Sequence, residues 1–364
     1  MQIGIVDADL ISLKNHRFPN LACMKLSAYY KKLGHTVTLL MNYKTVTQYD
    51  KVFISKVFTE TVVPPEVLNL LSVEYGGTGF YYDAAPPLPP EVEHIMPDYS
   101  LYDSFVQEAL KNGAKKNDLK YYTDYSIGFA TRGCIRQCSF CVNRNTKVCK
   151  LHSSISEFVD PTRKYICLLD DNIFACKDWQ LVFEELKATG KRFQFKQGMD
   201  ERLLTPEKCK TLFSAKWIGD YIFAFDNIKD RKIIVEKLHL IREYTDKIPK
   251  FYCFCAFNHD TPDTYNEDFW AKDIADLFER IRLLMKNRAL PYVMRYKDYE
   301  ISPYKGMYTT IARWCNQPSI FKKMSFREFC EANGDTSSAM RYMTAFEADY
   351  PLIAETYFNM KWIS

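Results

Sequence analysis

The residues best suited to chemistry are three cysteines in one short stretch, ATRGCIRQCSFCVNR. Cys134, Cys138 and Cys141 stand there in C-x3-C-x2-C spacing. Thiolates are strong metal ligands. Three of them on one loop can each hold one iron of a four-iron, four-sulfur cluster and leave the fourth iron open. An open position suits catalysis, whereas a closed shell of four cysteines suits structure or electron transfer. An aromatic residue, Phe140, precedes the third cysteine. The competing chemistry is a zinc site with Cys149 as fourth ligand, in a nucleic-acid-binding protein whose affinity depends on salt and which catalyses nothing. Structural zinc loops more often pair their cysteines as C-x2-C twice, which favours iron and sulfur. Most of the other cysteines sit singly in apolar runs, as Cys167 does in YICLL and Cys253 and Cys255 do in FYCFCAF, and read as small buried hydrophobes.

The elements that must position this loop alternate between strand and helix. IGIV (Ile3 to Val6), HTVTLL, KVFIS (Lys51 to Ser55) and VEY before Gly76-Gly77-Thr78-Gly79 read as four strands. Asn20 is placed to cap a helix that stops at Gly34. Together they predict a small parallel sheet with helices on both faces. Residues 84–97 hold five of the 16 prolines, which suits a connector and not a helix or central strand. A second alternating series follows: YSIGFAT, YICLLDD, RFQFKQG, YIFAFDN, FYCFCAFN and PYVMRY, with helices such as Trp179 to Thr189 and Pro206 to Ser214 between them. Six such units fit an open (β/α) barrel, whose catalytic groups sit at the C-terminal strand ends. Those ends carry Asp170-Asp171-Asn172, Gln197, Asp226-Asn227, Asn258 and Arg295. From Ser302 the pattern turns helical, with Tyr304, Tyr308, Arg313, Trp314, Phe321, Lys322, Lys323, Phe326 and Arg327. Such residues serve either as a capping extension with an aromatic core or as a nucleic-acid surface. The resulting domain expectation is 1–83, a connector 84–121, a barrel 122–300 and a helical extension 301–364.

Composition bounds these expectations. With 364 residues, 47% hydrophobic and 26% charged, the chain is neither disordered nor a single small domain. A net charge of +4 is too mild to imply nucleic acid by itself. Twelve cysteines in so long a chain do not make a secreted disulfide scaffold. No apolar run reaches the ~18 residues of a membrane span, and the start MQIGIVDADLIS lacks the basic residues of a signal peptide; no membrane association and a cytoplasmic location are expected.

The motif, with its aromatic and the strand–helix series after it, resembles the radical S-adenosylmethionine (SAM) superfamily, defined by C-x3-C-x-aromatic-C. All four defining positions match: Cys134, Cys138, Phe140 and Cys141. The resemblance implies a [4Fe–4S] cluster on the three cysteines, SAM on the open iron, and an external flavodoxin- or ferredoxin-like electron donor. It implies reductive cleavage of SAM to methionine and a 5′-deoxyadenosyl radical that modifies a substrate, whether nucleic acid, peptide or metabolite. A relative that binds SAM without cleaving it is the regulatory alternative. Phe140 resembles the aromatic near the adenine. Where the family has a Gly-Gly-Glu-like stretch against the SAM amino group, this chain has Asp170-Asp171-Asn172, and Asp171 is the stand-in. Gln197, Asp200, Asp226 and Asn258 are expected near ribose or substrate, and Arg202 near a carboxylate. The doubly wound domain ahead of the barrel resembles the cobalamin-binding class, which makes cobalamin a further candidate cofactor. The Asp-x-His-x-x-Gly loop of that class is missing, since His16 has neither the Asp nor the Gly.

Overall fold

The computed structural model describes residues 1–13, 16–262 and 264–362. The chain divides into two compact units, residues 1–196 and 197–364.

The first unit opens with four strands, β1 (Gln2–Asp7), β2 (Thr36–Leu39), β3 (Lys51–Ser55) and β4 (Val73–Gly76), all parallel and ordered β2-β1-β3-β4. The apolar run of β1 reflects its central place, where both faces are covered. Ile3 and Ile5 enter a core with Cys23 and Met24 of the helix Leu21–Lys32 and with Tyr102, Val106 and Tyr122. Val6 points into a second core with Leu40, Val52, Ile54 and Val67. Asn20 caps the helix as its sequence position predicts, accepting from Cys23 N at 3.2 Å.

The proline-rich stretch differs from expectation in one place. Pro90–Glu93 forms a single helical turn, because a proline in the first helical position gives up only an N–H that has no partner there. That turn delivers Glu93 to the buried Lys25, 2.6 Å away.

The six strands of the second series all form. Three belong to the first unit: β5 (Tyr125–Gly128) and, beyond a short antiparallel pair of β6 (Thr131–Arg132) with β7 (Lys150–Leu151), β8 (Tyr165–Leu168) and β9 (Arg192–Phe195). They make a parallel sheet ordered β5-β8-β9. The β6–β7 pair closes the base of the loop that carries the three cysteines. The second unit holds the other three, β10 (Ile222–Ala224), β11 (Lys250–Cys255) and β12 (Leu290–Arg295), parallel and in sequence order. Arg280, on the helix Glu267–Lys286, is buried and donates through Nη1 to the carbonyls of Phe225, Asp226 and Phe254 at 2.8, 3.1 and 2.8 Å. It thereby satisfies backbone oxygens where β10 and β11 end. Helices then run from Lys305 to Tyr357, and Tyr308, Trp314, Phe321 and Phe326 are fully buried among them. Those aromatics form core. Arg327 pairs with Glu347. Among the described residues no helix is long and apolar enough to cross a membrane.

Candidate metal centre

Nine of the twelve cysteines are buried, and the three that are not are Cys134, Cys138 and Cys141. A thiol kept out of the core while its nine counterparts are used as core is placed to bind something. The loop leaves β6 at Gly133, whose φ of +96° and whose contact with Val148 forbid a side chain: an added Cβ would stand 2.2 Å from the Val148 carbonyl oxygen. A second left-handed residue, Gln137 with φ +49°, turns the chain between the first two cysteines. Cys141 N then donates to Cys138 O at 2.9 Å, closing a tight turn that carries the second and third thiols.

Donors are aimed at the sulfurs of Cys134 and Cys141. Asn172 Nδ2 lies 3.4 Å and Arg136 N 3.5 Å from Cys134 Sγ, and Asn143 N lies 3.4 Å from Cys141 Sγ. Such N–H groups stabilise negative charge on ligating sulfur and tune the metal they face. Cys149, the fourth ligand of a zinc site, is buried next to β7 in the chain, and burial pushes its thiol up to about 12. Among the described residues no three His, Cys, Asp or Glu side chains converge on a point that would hold one metal ion. A single zinc draws its thiolates to within ~4 Å of one another. A cubane takes each thiolate at a different corner.

The Asp170-Asp171-Asn172 stretch after β8 is the frame of the loop. Asp170 is buried and accepts from Ala130 N at 3.1 Å and from Thr131 N and Oγ1 at 2.6 Å each. Burial nevertheless pushes its carboxyl up to about 6. Asp171 ties the start of the loop to the residues just beyond Cys141, accepting from Gly133 N at 2.9 Å and Asn143 Nδ2 at 2.7 Å. A carboxylate has about four lone-pair sites, so these two bonds leave Asp171 capacity for a cationic ligand group. Phe140 is half-buried, and its carbonyl accepts from Tyr82 Oη.

The remaining expected residues lie in the second unit, each engaged within it or at its surface. Gln197 is exposed. Asp200 is buried and bridged to Arg202 at 2.7 Å, and Arg202 reaches on to Asp230 at 2.8 Å, so the carboxylates it meets belong to the protein. Asp226 accepts from Phe254 N at 3.0 Å, and burial raises its carboxyl. Asn258 uses its whole amide on its own loop, accepting from Asp260 N and Thr261 N and donating to Thr261 Oγ1 and Thr264 O. Sequence reasoning assigned no role to Asn172, Asn143, Tyr82 or Asp83. Asn172 stands in a strand end that it did single out; Tyr82 and Asp83 carry no spacing signal toward the motif.

The first unit also has the crevice in which doubly wound sheets bind ligands, outside the carboxyl ends of β1 and β3 where the strand order reverses. Among the described residues it is filled by protein. Tyr102 Oη donates to Asp7 at 2.8 Å and accepts from Asn20 N at 3.0 Å, and Asn20 Nδ2 donates to Ser55 Oγ at 3.0 Å. Asp9 accepts from Thr61 Oγ1 at 2.5 Å and Val57 N at 2.7 Å, and Lys56 Nζ donates to Thr61 O at 2.8 Å. All seven of these side chains, Asp7, Asp9, Asn20, Ser55, Lys56, Thr61 and Tyr102, are buried. The glycine turn after β4 is also occupied: a Cβ on Gly77 would lie 2.3 Å from Lys56 O, and one on Gly79 2.6 Å from Phe58 O. These glycines permit backbone to meet backbone. The cradle a cobalamin tail would need is taken up by the chain itself, and these residues do not fit that cofactor.

Two solved structures share the fold, both of the radical SAM methyltransferase TsrM from Kitasatospora setae. One is described with cobalamin and a [4Fe–4S] cluster bound; it is 12% identical, covers 81% of this chain and 74% of its own, and has a TM-score of 0.51. The other, with tryptophan substrate and the SAM analogue aza-SAM bound, is 11% identical, covers 80% and 72%, and has the same TM-score of 0.51. No family model matches the sequence. No curated protein matches it either.

Proposed function

We propose that the protein is a radical SAM enzyme whose cluster is held by Cys134, Cys138 and Cys141. The observation that carries this is the sorting of the cysteines: only the three of the motif are left out of the core, and N–H groups of the loop and of Asn172 face the sulfurs of Cys134 and Cys141. When bound, such a cluster supplies the electron that cleaves SAM to methionine and a 5′-deoxyadenosyl radical. The chain's own part is to hold three thiolates and leave one iron free, to donate hydrogen bonds to them, and to keep the loop closed through Asp171. The remaining capacity of Asp171 suits the SAM ammonium group. No step is assigned to cobalamin, because the crevice of the N-terminal sheet is filled. The electron comes from an external one-electron donor of the flavodoxin or ferredoxin kind, and the ligand thiolates require a reducing compartment such as the cytoplasm. The substrate is a molecule with an abstractable hydrogen.

The test is anaerobic reconstitution with iron and sulfide, followed by dithionite and SAM, with 5′-deoxyadenosine measured by chromatography. Formation in the wild type, loss in Cys134→Ala and retention in Cys167→Ala support the proposal. A zinc-containing protein that takes up no iron overturns it.

A further inference from the structure

The crevice of the N-terminal sheet is occupied by its own side chains, yet the last residues of that domain reach into the cysteine loop. We propose that Tyr82 and Asp83 are positioning residues that lock the turn between Cys138 and Cys141, so that the N-terminal domain sets how firmly the cluster is held. This rests on the cluster assignment above.

Two backbone carbonyls lie between those cysteines, those of Ser139 and Phe140, and both are held from outside the turn. Tyr82 Oη donates to Phe140 O at 2.5 Å. Asp83 Oδ2 accepts from Arg144 Nε at 2.5 Å and from Asn145 Nδ2 at 2.9 Å, and Arg144 Nη1 donates onward to Ser139 O at 3.1 Å. The Arg144 guanidinium also lies over the Tyr82 ring, 5.5 Å from its centre. One carbonyl is thus gripped directly and the other through an arginine that Asp83 orients.

The grip is itself anchored. Thr78 Oγ1 donates to Val57 O at 3.1 Å, and Gly79 N donates to Lys56 O at 3.1 Å. Both carbonyls belong to the loop that follows β3. Tyr82 has φ +50° and ψ −112°, a conformation that a non-glycine residue keeps only where its surroundings enforce it. A loose connector would relax. This one is held at one end by the sheet and at the other by the loop, and strain persists at such over-determined positions. The connection runs from the sheet through Thr78 and Gly79 to Tyr82 and Asp83, and from there to the cysteine turn.

The experiment compares the full-length wild type with Tyr82→Phe, Asp83→Asn and Asp83→Glu, each reconstituted anaerobically. Three quantities are read: the rate of iron loss to a chelator, the electron paramagnetic resonance spectrum of the reduced cluster with and without SAM, and the melting temperature of the apoprotein. Tyr82→Phe removes one oxygen and keeps the ring, and it should speed iron loss about fivefold, the factor matching one ordinary hydrogen bond. Asp83→Asn should speed it at least as much, and Asp83→Glu should restore part of the difference. The spectrum of the variants should shift or broaden while apoprotein melting stays near the wild type. If the wild type takes up no four-iron cluster, the site assignment itself fails. If the wild type takes it up and both Tyr82→Phe and Asp83→Asn lose iron at its rate with an unchanged spectrum, the positioning role is refuted. Equal lability accompanied by a lowered apoprotein melting temperature in all three variants would reduce the two residues to ordinary structural contacts and also refute it.

Discussion

Asp171→Ala is the perturbation that most sharply separates the two things this carboxylate can do. In the structure it spans the three cysteines, tying Gly133 N to Asn143 Nδ2 at 2.9 and 2.7 Å. Hydrogen bonds to a charged acceptor are worth ~1.5–3 kcal/mol each. Asp171 is half-buried, so the lower end applies, and the pair contributes ~3 kcal/mol to keeping the loop shut. Each 1.4 kcal/mol is a factor of ten, so the open form should become roughly a hundredfold more populated in Asp171→Ala. Asp171→Asn keeps one acceptor oxygen and should fall between. The assay is hydrogen exchange across residues 133–146 in the apoprotein, with iron and sulfide counted after reconstitution. Exchange of the loop amides should accelerate by about that factor, cluster content should fall, and amides of β5 and β8 should keep their protection. A variant that reconstitutes fully, exchanges like the wild type and only binds SAM more weakly would refute the loop-closing role and assign Asp171 to the SAM ammonium alone.

Three further outcomes follow from other contacts. Asn172→Leu removes the side-chain N–H that faces Cys134 Sγ at 3.4 Å. A bond that favours the more negative reduced state by ~1 kcal/mol corresponds to ~40 mV for one electron, so a redox titration should place the variant's cluster lower by about that amount. Glu201 is buried, and desolvation holds its carboxyl up to about 8 although Ala224 N donates to it at 3.2 Å. A carboxyl raised above its unfolded value binds more protons in the folded state, so the stability this group contributes is full below pH 4.5 and is lost as pH rises to about 8. Glu201→Gln should therefore raise the melting temperature at pH 8.5, by an amount worth a few kcal/mol, and change it little at pH 5. Gly77 has φ +105° and a Lys56 carbonyl where its Cβ would go, so Gly77→Ala should cost ~3 kcal/mol or more in denaturant unfolding of the first unit.

The sequence was most legible where one signal repeats. β1, β3 and β11 are apolar runs that become buried parallel strands, and the helix capped by Asn20 begins where its capping residue says. Cys134, Cys138 and Cys141 stand out in the sequence by their fixed spacing on one short loop, and they are the three cysteines that the structure leaves out of the core. Asp171 was singled out by its strand-end position as a contact for the SAM amino group, but its bonds to Gly133 and Asn143 were not readable, since they depend on how two strand ends lie side by side. The glycine turn after β4 was ambiguous for a physical reason. A glycine that lets backbone approach a phosphate and one that lets backbone approach backbone look alike in sequence, and only the Lys56 and Phe58 carbonyls against Gly77 and Gly79 decide between them. The aromatic, basic C-terminal stretch was ambiguous in the same way, and the burial of Tyr308, Trp314, Phe321 and Phe326 accounts for those aromatics as core.

Between β6 and β7 the cysteine loop has no regular secondary structure among the described residues. Its backbone bonds are local turns such as Cys141 N to Cys138 O and Arg144 N to Cys141 O. A segment of this kind keeps one conformation only if groups outside it, or a ligand within it, hold it there. Two outside supports are visible on different sides. Asp171 and Asn172, from the end of β8, take the first cysteine and tie Gly133 to Asn143, while Tyr82 and Asp83 take the turn of the second and third. If each support closes its own half of the loop, the halves open independently, and Tyr82→Phe with Asp171→Asn should add in free energy. If the loop closes as one body, the second substitution should cost much less than the first, because the first has already released it. Iron-loss rates of the two single variants and the double variant decide between these behaviours, and a double variant no faster than the worse single one identifies the loop as a single cooperative latch.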